Sequence, residues 1–199
     1  TSHTEAVVEA EPGRVDGRRA RRQRSRDLVV EAMLDLLDEG VLRPTAQQVA
    51  EGAGISLRSI FRIFDDVRSL HEAAVAQHLA RVGHLFTPIE ATGSRAERLA
   101  ATVDQLVRIY ESVAPVRRAA LRLAPESEVF AQRLRDARTW AREQLDRIFA
   151  PELAGRPVRA AALEALLSFE AWDQLRQGQA LDAADTRAAL LEGAEKLLG

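Results

Sequence analysis

Apolar residues recur at helical spacing along most of the chain. Leu28, Met33 and Leu37 lie on one such face, which predicts a helix over about residues 21–39. A shorter helix is expected to begin at Pro115, because the first turn of a helix tolerates proline, and to end before Pro125. No segment alternates as a strand does, so we predict an all-α protein of about nine helices. The remaining long helices are expected over about residues 67–86, 94–113, 127–149, 158–177 and 183–198.

Residues 45–64 carry a different pattern, which predicts two short helices joined by a tight turn. Thr45 has a glutamine three residues later, the spacing of a capping box, and Gly54 supplies a residue without Cβ at the turn. Ser56 can cap the second helix, whose apolar positions include Ile60. Helices this short are unstable alone, so we expect both to pack on the first long helix. The arrangement predicts a helix-turn-helix, whose second helix enters the major groove of DNA.

The first turns of the second short helix hold the candidate base contacts. Arg58 can donate two hydrogen bonds to a guanine, and Leu57 can contact a thymine methyl group. Ser59 and Arg62 are candidates for phosphate contacts, which position a protein on DNA without reading the sequence. The alternative is that both arginines are ordinary solvated surface residues.

This stretch and its flanks resemble the DNA-binding domain of TetR-type (tetracycline repressor family) regulators over about residues 24–72. The chain departs from the family at three positions, because the family commonly has Tyr, His and Lys where this chain has Phe61, Ile63 and Val67. The family's Tyr and Lys usually contact phosphates, so part of that grip on the DNA backbone is expected to differ here. The residues that match are Gly40, Pro44, Thr45, Val49, Ala50, Ala53, Gly54, Ile55, Ser56, Ile60, Phe61, Phe64 and Leu70.

The resemblance implies an N-terminal three-helix helix-turn-helix domain and a larger C-terminal helical domain for ligand binding and dimerisation. We expect a leader over residues 1–18, the DNA-binding domain over 19–66, and the effector-binding and dimerisation domain over 67–199. By the same resemblance Gln47 contacts a base, and Thr45 and Ala46 lie at the DNA backbone. The full expected set of DNA-contacting residues is Thr45, Ala46, Gln47, Ser56, Leu57, Arg58, Ser59, Phe61 and Arg62.

The partners that the resemblance implies are a second copy of the chain, a DNA operator and a small molecule. The last two long helices would form the dimer interface, unless they belong to an intramolecular core. The homodimer would bind a near-palindromic double-stranded operator as a repressor and leave it when an apolar effector binds between helices. Tyr110, Trp140 and Trp172 are the candidate pocket residues, because each joins a large apolar body to a hydrogen-bonding tip. The alternative is that all three are core residues.

Composition and charge narrow the function further. The chain has 199 residues and a net charge of −2, yet seven arginines lie between Arg14 and Arg26. We expect residues 1–18 to be a flexible basic leader, which is either solvated or lies on phosphates. There is no cysteine, no signal peptide and no apolar run approaching a membrane span, so we expect a cytoplasmic protein without a membrane partner.

Other chemistry finds little support in the sequence. His71 and His78 share a helix face, but no third ligand accompanies them, so no metal or cofactor is expected. The common catalytic and phosphate-loop motifs do not occur, so we do not expect an enzyme. Two alternatives stay open. One is a DNA-binding regulator controlled by a protein partner instead of a small molecule, and the other is an all-α binding protein or enzyme with a vestigial motif.

Overall fold

The computed structural model describes residues 12–89 and 92–199, which form ten α-helices and contain no strand. The all-α prediction is therefore confirmed. Short 3₁₀ turns follow α4 and α5, and a π turn follows α9. None of the described helices is long and apolar enough to cross a lipid bilayer. The helices are α1 (Pro12–Asp38), α2 (Ala46–Gly52), α3 (Leu57–Ile63), α4 (Val67–Val82), α5 (Arg95–Leu123), α6 (Glu128–Ile148), α7 (Ala150–Leu153), α8 (Pro157–Leu166), α9 (Phe169–Asp173) and α10 (Ala183–Leu198).

Helices α1, α2 and α3 pack around one apolar core and are called the head below. Val29, Met33 and Leu37 are the inward positions of α1, and each is at most 1% exposed. Helices α2 and α3 cross this face and bury Val49 and Ile60 completely. The predicted helix-turn-helix is present because these short helices gain from α1 the apolar contacts that they cannot make alone.

Helix α4 connects the head to the rest of the chain and packs on both. On its head side, the Gln77 amide donates to Glu31 of α1 at 2.6 Å, and Arg81 pairs with the same carboxylate. On its other side, Nε2 of His78 lies 2.7 Å from the carbonyl oxygen of Ser112 on α5. Helix α4 therefore has polar contacts with both α1 and α5.

Helices α5–α10 form a larger helical unit, called the body below. Helix α5 is its centre and contacts α4, α6, α9 and α10. A Cβ at Gly193 would lie 2.9 Å from a methyl carbon of Leu166, so this glycine lets α10 lie close against α8. The most deeply buried large side chains of the body are Phe130, Phe149, Phe169, Ile148, Leu163, Leu190 and Leu198.

The prediction that a new helix begins at Pro115 is wrong, since α5 continues through this proline to Leu123. Proline removes one backbone donor and disturbs the carbonyls of the preceding turn. The flanking Ala114 and Val116 are buried, so packing outweighs the local preference of proline to end the helix.

The long helix expected over residues 158–177 is divided in the structure. Helix α8 ends at Leu166, and Ser168 caps α9 by accepting a hydrogen bond from the amide of Ala171 at 3.1 Å. The carbonyl of Leu167 is freed by this break and accepts the hydroxyl hydrogen of Tyr110 at 2.6 Å. Apolar periodicity misses such a break, because a hydroxyl cap and a tertiary hydrogen bond create it.

Two helix ends also differ from expectation. Helix α1 begins at Pro12 instead of near residue 21, because the intervening arginines and alanine are good helix formers. Residues 12–18, expected in the flexible leader, therefore continue α1, and residues 1–11 lie outside the described part. Helix α4 ends at Val82 instead of Phe86, and Gly83 begins a 3₁₀ turn, as fits a weak helix former.

Candidate functional sites

The outer face of α3 exposes the residues that were expected to meet DNA. Leu57 is 39% exposed and Phe61 is 49% exposed, and the side chains of Arg58 and Arg62 are exposed beside them. Ile60, on the opposite face, is fully buried. The core of the head therefore fixes which side of α3 faces outward.

Arg58 and Arg62 have no partners in the described part of the chain. Neither forms a hydrogen bond or an ion pair there, so their donors can be given to bases or phosphates. Ser56 caps the helix, its hydroxyl accepting from the amide of Ser59 at 3.3 Å and lying 3.0 Å from the Ser59 hydroxyl. The two serines hold the first turn of α3 in the position that presents the arginines.

Helix α2 presents part of its expected contact set. Thr45 is exposed, and its capping box with Gln48 has hydrogen bonds of 2.9 and 3.2 Å. Gln47 is exposed, but its side-chain amide donates to Glu51 at 2.7 Å, so it must exchange this bond to reach a base. Ala46 is 8% exposed, so the contact with the DNA backbone that is expected of it would come from its main chain, and this stays a prediction.

A basic cleft adjoins α3, between its last turn and the first half of α1. Arg21 and Arg22 line it together with Arg62, around the partly exposed side chain of Ile63. The guanidinium of Arg26 lies 4.4 Å from the ring centre of Phe64 and so ties the cleft to the core of the head. The locally concentrated positive charge that the sequence indicated is therefore continuous with the recognition surface.

A cavity of about 270 Å³ lies inside the body, between α5, α6, α8 and α9. Of the candidate pocket residues, Tyr110 and Trp140 line it, and Trp172 does not. Trp172 is 2% exposed and lies behind the wall, where its ring centre is 6.0 Å from that of Tyr110. The polar tip of Tyr110 is engaged by the Leu167 carbonyl, and burial raises the pKa of this tyrosine, which keeps its hydroxyl a donor.

Arg117 was not among the pocket residues expected from sequence, yet it is the most deeply buried charged group of the cavity wall. Its side chain is only 11% exposed, and its guanidinium lies 4.7 Å from the ring centre of Phe169. Burial lowers the pKa of Arg117, and the carboxylate of Glu170 opposes this shift. The signal was present, because an arginine continues the inward stripe that holds Tyr110 and Val113. Because a helix break was expected at Pro115, the inward stripe was not extended as far as Arg117.

The two central histidines have structural contacts. His71 is buried, with Nδ1 3.0 Å from the carbonyl oxygen of Val67 one turn earlier. His78 joins α4 to α5 through the carbonyl of Ser112. Among the described residues, no three histidine, aspartate or glutamate side chains are grouped as a metal site requires.

Solved structures match this chain in fold, whereas the comparisons by sequence found no match. No protein-family model matches the chain, and no curated protein does. A TetR-family transcriptional regulator from Streptomyces coelicolor superposes with a TM-score of 0.66 at 21% identity, covering 88% of this chain and 80% of its own. A transcriptional regulator from Rhodococcus sp. RHA1 has a TM-score of 0.64 at 21% identity, with coverages of 87% and 95%. The chain therefore has the fold of TetR-family transcriptional regulators.

Proposed function

We propose that this protein is a homodimeric DNA-binding transcriptional regulator, a repressor that leaves its operator when a small molecule binds in the body. The observation that carries the DNA-binding part is the outward face of α3, where Arg58 and Arg62 lie beside exposed Leu57 and Phe61 and pair with no residue that the structure describes. The basic cleft along α1 adds donors for the phosphates that flank such a contact. We do not propose a catalytic activity. Because the proposed operator is DNA, we propose that the protein acts in the cytoplasm.

A homodimer is required because one recognition helix reads only a few base pairs. Two heads about one DNA turn apart would read a near-palindromic operator with useful affinity. Helix α8 offers a surface for pairing, since Val158 near its start is 82% exposed. Sedimentation equilibrium is expected to give a dimer, and a monomer at micromolar concentration would contradict this part.

The effector part of the proposal rests on the path from the cavity to α3. Phe86 lines the cavity, with its ring 5.5 Å from that of Trp140, and lies just beyond the end of α4. At its other end, α4 is joined to α3 by a connection of three residues, Phe64 to Asp66. A ligand that moves Phe86 would displace α4 and so change the distance between the two recognition helices of a dimer. Its effect on operator affinity equals its differential affinity for the two dimer states.

Selection of bound fragments from a random DNA pool tests the DNA-binding part. We expect enrichment of a near-palindromic site, with affinity that falls steeply as the salt concentration rises. An Arg58→Ala/Arg62→Ala variant should lose about tenfold or more in affinity for each arginine removed.

The matched control is Arg108→Ala/Arg135→Ala, which removes two exposed arginines from α5 and α6 and gives the same change in net charge. This control should bind the selected site nearly as well as the original chain. No enrichment above the random pool, or equal losses in both double variants, would overturn the DNA-binding part. Operator release that needs a second protein and no small molecule would favour the partner-controlled regulator.

A further inference from the structure

The cavity of the body has a mostly apolar interior and a charged side. Phe86, Leu106, Ile109, Trp140 and Phe169 provide large apolar surfaces on its wall. Exposed side chains stand at its mouth, on the α6 and α9 sides. A ligand that fits this wall has an apolar body and a single polar end.

Arg117 is the deeply buried charged group of the wall, and its hydrogen-bonding capacity is unused. It donates no hydrogen bond to any residue in the described ranges, and its buried Nε has no partner. The nearest carboxylate oxygen, on Glu170, is 3.8 Å from Nη2, beyond hydrogen-bond distance. A guanidinium has five N–H donors and keeps its charge in proteins, so burying it with one long ion pair and no hydrogen bond is unfavourable.

The carboxylates near the cavity are already engaged with other arginines. Both oxygens of Glu164 accept hydrogen bonds from Arg142, at 2.8 and 2.9 Å. Glu170 accepts from Arg138 at 3.0 Å. Among these described groups the positive charge of Arg117 is therefore in excess, and a ligand can supply the missing anion.

We propose that the cavity binds a small apolar monocarboxylic acid, whose carboxylate pairs with Arg117 while its hydrocarbon part contacts the apolar wall. A planar guanidinium matches a carboxylate in a bidentate pair. One guanidinium balances one negative charge, which favours a carboxylate over a doubly charged phosphate monoester. The volume of about 270 Å³ exceeds the ~150 Å³ that encloses benzene and lies near the lower end of drug-sized pockets. The acid therefore has about one substituted ring or a medium-length alkyl chain.

This inference names the effector class of the proposed function, but its test measures ligand binding in the absence of DNA. The full chain would be titrated calorimetrically with straight-chain acids from hexanoate to dodecanoate and with benzoate and 3-phenylpropanoate. Each acid is compared with its primary amide and with the amine of the same carbon skeleton, and phenyl phosphate is included. The best acid should bind about ten- to a hundredfold more tightly than its amide, and the amine and the phosphate should bind more weakly still.

Three variants locate the binding to Arg117. Arg117→Met should reduce the affinity for the acid to about that of the amide and leave the amide itself unchanged. Glu170→Gln, which removes the carboxylate facing Arg117, should increase the affinity for the acid, and it serves even if Arg117→Met folds poorly. Arg135→Met is the matched control, because Arg135 is an exposed residue of α6 that pairs with Glu128 outside the cavity wall. Arg135→Met should leave the affinities for the acid and for the amide unchanged.

The inference is overturned if amide, amine or phosphate binds as well as the best acid, if no acid in the panel binds to the folded protein, or if Arg117→Met binds the acid normally. Operator release is assayed separately with the same acid. An acid that binds through Arg117 without releasing DNA would leave the binding inference intact and refute the effector part of the proposed function. If the protein binds the acid but selects no DNA site, only the DNA-binding part of the proposed function is refuted.

Discussion

The head side of α4 and the cavity wall of the body each hold a buried nitrogen-bearing side chain with an atom that has no hydrogen-bond partner among the described residues. His71 is 3% exposed, and its Nε2 has no hydrogen-bond partner among the described residues. Arg117 has a side chain 11% exposed and an unpartnered Nε. An imidazolium loses its proton and its charge near neutral pH, whereas a guanidinium remains charged. The first region can therefore bury its nitrogen neutral, but the second needs an anion.

The difference teaches that an unsatisfied buried atom is not itself a sign of a binding site. A neutral imidazole with one unused lone pair loses a modest amount of hydrogen-bonding energy. A buried guanidinium without a carboxylate loses far more, because its charge is also removed from water. We therefore assign a ligand to the cavity around Arg117 and a packing role to His71.

The largest expected effect concerns a third buried side chain, Arg98, which does have its anion. Arg98 and Glu152 form an ion pair, and their side chains are 14% and 15% exposed. Arg98→Met would leave the Glu152 carboxylate buried and unpaired, so we expect the free energy of unfolding to fall by about 3–5 kcal/mol. Urea denaturation followed by circular dichroism measures this loss.

The double variant Arg98→Met/Glu152→Leu is the control, because it removes both charges and should recover most of the lost stability. If Arg98→Met proves no more destabilising than Arg117→Met, pairing does not separate the two arginines and the comparison fails.

The second expected effect tests what stabilises the head. The Nε2 atom of His71 has no partner among the described residues and contributes little. Ile60 is fully buried, and Ile60→Ala should reduce the free energy of unfolding by about 2–5 kcal/mol. Its neighbour Phe61 is 49% exposed, and Phe61→Ala should change that free energy by less than about 0.5 kcal/mol. The second variant should instead weaken operator binding. Equal losses of stability in the two variants would show that the outward face of α3 is misassigned.

The head was predictable from sequence because its signals are local. The caps at Thr45 and Ser56, the glycine at the turn and the inward position of Ile60 all lie within one short stretch. The cavity was not predictable in the same way, because its wall combines four helices whose register depends on tertiary packing. Because Pro115 was interpreted as a helix start, Arg117 was not assigned to the buried face of α5 that holds Tyr110 and Val113.

The third expected effect returns to Arg117 and is smaller. Replacing a buried guanidinium that has no hydrogen bond and only a long ion pair with Glu170 by an apolar chain of similar length removes a desolvation penalty and loses a cation–π contact of about 1 kcal/mol. We expect Arg117→Met to leave the free energy of unfolding unchanged or to raise it by about 1–2 kcal/mol. Denaturation in the absence of added acids measures this. A loss of stability comparable to that of Arg98→Met would mean that Arg117 has an internal partner and needs no ligand.

The smallest expected effect is the pH dependence that His71 gives to stability. Burial lowers the pKa of His71, the positive charge of Arg43 acts in the same direction, and the hydrogen bond to the Val67 carbonyl opposes both. That carbonyl can only accept, so Nδ1 carries the proton and Nε2 would gain an N–H without an acceptor. The unfolded chain binds this proton below about pH 6.5 and the folded chain does not, so stability is complete above that pH and declines as the pH falls. His71→Gln should flatten the curve of unfolding free energy against pH between pH 6.5 and about 5, above the range of the carboxylates. An unaltered curve in His71→Gln would show that this imidazole is not buried neutral, and the contrast with Arg117 would then lose its first member.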